Sequence, residues 1–396
     1  MNQWSTYWAK GWKRTWGVIN WRNDTPEEIQ RKVNGIIASG SANIDAINEY
    51  GETPLMLASR HDLPEVVKLL IEAGADVNKQ HKNGKTALME AANNGHTQIV
   101  QMLINAGADV HAQNKFEWNA LMEAAHKGHT EVVKQLIEAG VNVNEKEVKD
   151  KTALMLAAEE GSAQIVQMLI DAGAKTDGID ENNYTALKLA AKNGHTEIVQ
   201  ILINAGTSLA EDGKDYTSLM YAAQNGHTDI VKMLIEQNVD VNAKNYLNWT
   251  ALMMAAEKGH TQTVQTLIEA GAIIDTCNNN NYTALMEASS KGHTDTVQTL
   301  INAGADVNAQ DEQDWTALMM AAKNGHTQTV ESLIKANAFI EAGYRYGKTP
   351  LMLAVQEGHL STVQALIKAN ANINSRTNNG NLTLNTTGHT ALLLNQ

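Results

Sequence analysis

Histidine is the residue type in this chain most able to do chemistry, and eight histidines fall at one recurring place. His96, His129, His195, His227, His260, His293, His326 and His359 each follow a glycine and are spaced by about 33 residues or its double. A metal site needs its ligands within about 2.1 Å of one ion. Side chains that recur once per long period sit on separate structural units and cannot converge on one ion, so no metal is expected. Cys277 is the only cysteine; it lies in the polar run 276–281 with no histidine beside it. Nothing there would lower its pKa, which argues against a nucleophile. The Gly-His-Thr triplets lack the Gly-Lys-Ser/Thr of a phosphate loop. The carboxylates are scattered at the repeat period and read as a solvated face. No constellation for catalysis emerges, and neither enzymatic activity nor a cofactor is expected.

The bulk properties narrow the partners. A hydrophobic fraction of 43% over 396 residues permits a substantial core. A net charge of −13 disfavours nucleic acid, whose affinity rests on Lys and Arg, and makes a basic protein or peptide the easier partner. No run of about 18 apolar residues is present, so no membrane span is expected, and the first residues lack the apolar core of a signal peptide. A single cysteine fits the cytoplasm, although a cysteine-poor protein exported into a host cytosol would look the same.

The elements that position these residues come from a repeat. A Thr-Ala-Leu triplet or a near relative starts at Thr53, Thr86, Asn119, Thr152, Thr185, Thr217, Thr250, Thr283, Thr316 and Thr349. All intervals are 33 residues except the 32 between Thr185 and Thr217. Within one unit, Thr86 precedes a run of good helix formers and can cap it, and Gly95 supplies the left-handed residue that stops it. Thr97 opens a second helix in which Ile99, Val100, Leu103 and Ile104 recur at helical spacing. Such a pair has apolar faces front and back and buries them only by stacking on its neighbours.

This grammar, T-A-L-M-x-A-A, then G-H-T, then L-I-x-A-G-A-D-V-N, resembles the ankyrin repeat over about residues 43–374. The resemblance implies an all-α solenoid of helix–turn–helix units with hairpin loops, a curved superhelical rod. It also implies that the Gly-His histidines tie backbones together. The chain departs from the family pattern in two ways: the proline survives only at Pro54 and Pro350, and the family's histidine is mostly Met, with Lys188 once. Methionine is a pliable core filler, so packing should survive.

The expected organisation is a Trp-rich segment (1–23), a capping half-repeat (24–49), ten repeats (50–374) and a degenerate or truncated repeat (375–396). Thr25-Pro26-Glu27-Glu28 reads as a capping box with proline at the first helical position. Trp4, Trp8, Trp12 and Trp16 recur every four residues and share one side of a helix, with Lys10, Lys13 and Arg14 opposite. The first reading is that these tryptophans close the open end of the array. A membrane-surface anchor and a docking helix are the alternatives.

The positions that vary while the scaffold stays constant carry the functional reading. The residue before each triplet is Glu52, Lys85, Trp118, Lys151, Tyr184, Tyr216, Trp249, Tyr282, Trp315 or Lys348. In the ankyrin family this position faces the concave groove where partners dock. Tyr221, Met254, Glu287 and Met320 follow the helical methionine on the same side, and the end of the first helix adds Lys192, Asn193, Gln224, Asn225, Glu257, Lys258, Ser290, Lys291, Lys323 and Asn324. Tyr and Trp are favoured interface anchors. The expected partner-binding set is therefore Trp118, Tyr184, Tyr216, Tyr221, Trp249, Met254, Tyr282 and Trp315. Against this stands the reading that the rings merely pack on one another across hairpins.

The leading expectation is a non-catalytic interaction scaffold that holds a protein or peptide partner in this groove. One alternative is an adaptor delivered to a membrane surface by residues 1–23. Another is the interaction half of a longer multidomain protein or of a host-directed effector. Oligomeric state is not readable from the sequence.

Overall fold

The computed structural model describes residues 12–40, 42–210, 215–344 and 347–376. Among them the regular structure is helical, with one isolated bridge between Lys146 and Thr152. After Pro26–Ala38 the helices come in pairs, from Pro54–Arg60 with Pro64–Glu72 to Pro350–Gln356 with Leu360–Lys368. The protein is an all-α repeat solenoid.

Each pair forms for local reasons. The Thr86 hydroxyl accepts the Met89 amide at 3.3 Å and caps Ala87–Asn94, and Asn119 caps Ala120–Lys127 in the same way at 2.9 Å. Gly95 ends the first of these helices with φ of 77°. A Cβ there would lie 2.6 Å from Nδ1 of His129, so both conformation and space require glycine. The histidines act as expected from the resemblance. Nε2 of His260 donates to the carbonyl of Gln224 at 3.1 Å, and that of His293 to the carbonyl of Glu257 at 3.0 Å. Each bond joins a repeat to the one before it. Buried Leu88, Met89, Ile99, Val100 and Leu103 fill one layer of the core. Each such side chain contributes roughly 1.5–3 kcal/mol by leaving water.

The chain divides into two compact units, Met1–Ala190 with Gln200–Thr207, and Ala191–Val199 with Ser208–Gln396. Within each, first helices pack on first helices and second helices on second helices.

The front of the first unit carries the expected capping box: Thr25 accepts from the Glu28 amide and Glu28 accepts from the Thr25 amide. Residues 12–15 are helical, and Trp12 and Trp16 are buried with stacked rings 6.3 Å apart. The Trp16 indole donates to the Asn43 carbonyl at 3.0 Å. These two rings therefore belong to the packing of the unit, in line with the first reading, and the alternative of Trp12 and Trp16 as membrane or docking side chains is corrected. Lys13 and Arg14 are exposed. Trp4, Trp8 and Lys10 lie outside the described residues, as does the segment 377–396.

Candidate partner-binding face

The aromatic column is set by a residue four positions earlier. Asn245 Oδ1 accepts the amides of Leu247 and Trp249, both at 2.9 Å, and the Asn245 amide donates to the Trp249 carbonyl at 3.1 Å. Asn278 holds Tyr282 in the same way, and Asp311 holds Trp315. In the first unit Asn114 does so for Trp118 and Asp180 for Tyr184. The residue just before each of these five rings is Glu, Asn or Asp with φ near +60°. The five holding residues are buried, so each ring projects from a turn closed by an internal hydrogen bond. Sequence reasoning missed this device, although its signal is present as an Asn or Asp four residues ahead of every ring.

Trp118 and Tyr184 belong to the first unit, and Tyr216, Tyr221, Trp249, Met254, Tyr282 and Trp315 to the second. The rings are half-buried, with neither full exposure nor full enclosure. Tyr216 stacks on Tyr221 at 5.2 Å, and Trp315 on Tyr344 at 4.9 Å. Trp118 meets His126 edge-on at 5.5 Å. At these places the reading of rings packed on other rings has substance. Among the described residues, Trp249 and Tyr282 have no such ring contact. Met254 retains 1% of its surface, so it belongs to the core and is removed from the set a partner could touch.

Charge is arranged differently in the two units. In the first, Arg60 lies between Glu52, at 2.6 Å, and Glu90, which it grips at 3.0 and 3.1 Å. Lys85 pairs with Glu123 at 2.9 Å and Lys151 with Glu159 at 2.6 Å. Burial pushes the Glu52 carboxyl up, but hydrogen bonds from Asn48 and Arg60 outweigh it and leave the group below its usual range. In the second unit Lys192 lies 5.9 Å above the Tyr221 ring and Lys323 lies 5.3 Å above Trp315. Glu287 is pushed up to about 7, first by burial and then by Glu257, with Lys291 opposing. Burial also raises the Tyr282 hydroxyl, helped by Asp311 and Glu287.

No group of three His, Cys, Asp or Glu side chains among the described residues is placed to hold a metal ion. No described helix is long and apolar enough to cross a membrane.

A repeated helix pair closed by an internally bonded hairpin, with variable side chains on one face, defines a repeat scaffold. The chain belongs to the ankyrin-repeat family: the model for ankyrin repeats in three copies matches residues 29–114, 88–180, 173–245, 242–311 and 308–377. The chain is similar to the crystal structure of the human ASB11 ankyrin repeat domain, with 25% identity and a TM-score of 0.51. That likeness covers 55% of this chain and 96% of the domain. Comparison with curated proteins gave no match. Ankyrin repeats in general mediate protein–protein interaction, and proteins built from them are typically non-catalytic scaffolds.

Proposed function

We propose that the protein is an interaction scaffold whose partner docks on the aromatic face of the second unit, centred on Trp249 and Tyr282. The observation that carries this is the pairing of a preset position with an uncommitted ring. Buried Asn245 and Asn278 hold the two hairpins, while among the described residues no neighbouring ring covers Trp249 or Tyr282. Rigid aromatic side chains lose little conformational freedom on docking, which is why they anchor interfaces. The net charge of −13 favours a basic partner.

The test is an affinity capture with mass spectrometry, comparing the wild type with the Tyr216/Trp249/Tyr282→Ala variant. A partner captured by the wild type and lost from the variant at unchanged helicity supports the face. An identical partner list from both proteins would make the rings structural and overturn it.

A further inference from the structure

Three repeats carry a glutamate one place after the buried methionine of the first helix: Glu90, Glu123 and Glu287. Each retains 8% or less of its surface. A buried carboxylate is costly unless it is paired, and two of the three are. Glu90 is gripped by Arg60, thirty residues earlier, and Glu123 by Lys85, thirty-eight residues earlier. The same two places before Glu287 are occupied by Glu257 and Trp249. One cation has been replaced by a second carboxylate and the other by an aromatic ring.

The remaining neighbours do not supply the missing charge. Met254 and Met320, at the matching places of the adjoining repeats, are buried and apolar. Lys291, one turn along the same helix, acts on Glu287 from beyond ion-pair distance. Lys258 lies 3.3 Å from Glu257 in a pair whose lysine is half exposed. The rings tell the same story: Lys192 covers Tyr221 and Lys323 covers Trp315, whereas no lysine or arginine among the described residues lies over Trp249 or Tyr282. A buried, unpaired carboxylate thus coincides with uncapped rings in the same two repeats.

We propose that Trp249, Glu257, Tyr282 and Glu287 form a docking site for the cationic side chain, arginine or lysine, of a basic peptide segment of the partner. The incoming cation takes the part that Arg60 and Lys85 play within the first unit. It pairs with Glu287 and Glu257 and meets the face of Trp249. The site rests on the reading of this face as the binding surface, but its test needs no identified partner.

The probes are capped tetra-arginine, tetra-lysine and tetra-glutamine peptides, titrated calorimetrically into the full chain at low ionic strength. One or both cationic peptides should bind, and the tighter of the two names the preferred head group; tetra-glutamine should not bind. Glu287→Gln should weaken binding ~10-fold through loss of a charge-assisted hydrogen bond. Glu257→Arg installs the internal cation of the first unit, and it should abolish binding and raise the melting temperature. Asp295→Asn makes the same charge change as Glu287→Gln at an exposed position of a second helix and should leave affinity unchanged. Equal affinity in all four proteins would show diffuse attraction to an acidic chain and overturn the site. So would a Glu257→Arg variant that neither gains stability nor blocks the peptide. A dimer of the unmodified chain that Glu287→Gln dissolves would assign the cation to a second copy and overturn the foreign partner. Peptide binding lost in Glu287→Gln with an unchanged capture list would keep the site and sink the wider face; the opposite pattern would do the reverse.

Discussion

At matching repeat positions the two units make opposite use of the same scaffold. Besides Trp118 and Tyr184, the first unit places the charged Glu52, Lys85 and Lys151 at its hairpin tips and Arg60 at the end of a first helix, and it resolves these charges internally. Arg60 bridges Glu52 and Glu90, Lys85 holds Glu123, and Lys151 holds Glu159. The second unit carries Tyr216, Trp249, Tyr282 and Trp315 at its tips before Lys348, and leaves Glu287 buried without an ion-pair partner. The second helices differ as well. Buried Ile99, Val132 and Ile165 in the first unit, and Ile198 and Ile230 at the start of the second, give way to Thr263, Thr296, Thr329 and Thr362 in the later repeats. These threonines are linked by hydroxyl pairs such as Thr261 with Thr296 at 2.8 Å. The lesson is that satisfied surface charge and available recognition surface exclude one another at a given position. A carboxylate already holding its own arginine has little left to offer a partner.

Breaking the first unit's charge network should have the largest effect. Arg60→Ala strands two carboxylates, and the variant should lose roughly 2 kcal/mol, discounted because the arginine is one-third exposed. Urea unfolding followed by hydrogen exchange across the first unit would detect it, and an unchanged profile would show the network to be decorative. Next comes the hairpin that holds Trp249. Asn245→Ala removes the one oxygen that accepts the amides of Leu247 and Trp249 and should cost about 1–2 kcal/mol. It should also weaken partner binding with every ring still present, which separates ring position from ring identity.

The pH response sharpens the comparison, because the two units should respond with opposite sign. Glu287 rises from 4.5 in the unfolded chain to about 7 in the folded one. Below about 4.5 both states are protonated and the group costs nothing. Stability then falls as pH rises to about 7 and stays reduced above it. Glu287→Gln should therefore stabilise the fold at pH 8 by about 1 kcal/mol after solvent screening, seen as a higher melting temperature, and leave it unchanged at pH 4. Glu52 is held low and behaves inversely: its contribution is present above its ordinary pKa of 4.5 and is lost as pH falls. Thermal melts of Glu52→Gln and Glu287→Gln across pH 4–8 should thus diverge. The smallest effect is expected from Thr296→Val, which puts an aliphatic side chain where Ile99 and Ile230 stand in other repeats; a change within ~0.5 kcal/mol is expected by calorimetry.

Much of the fold is legible in the residues. The period, the Thr and Asn caps, the glycine stops and the capping box at Thr25 follow from local rules, whereas the role of the Gly-His histidines comes from the resemblance to ankyrin repeats. The candidate face is legible only in part. The aromatic column stands out because scaffold alone does not ask for a ring there, yet the same reasoning put buried Met254 beside it. Helical periodicity gives a direction but not the depth at which the neighbouring repeat closes over a side chain. For the same reason periodicity leaves a membrane surface open as an alternative for Trp12 and Trp16 beside the packed cap, and packing consumes both rings.

The sequence by itself determines that helix pairs form, that they must stack, and which positions are free to vary, because caps, stops and two apolar faces are written into every 33-residue unit. Tertiary structure decides which variable residues are already satisfied. Arg60 reaches Glu90 and Lys85 reaches Glu123 only when consecutive repeats are stacked, at separations no local rule singles out. Glu287 goes unpaired for the same reason: whether a buried charge finds its partner depends on distances between repeats, and packing alone sets those distances.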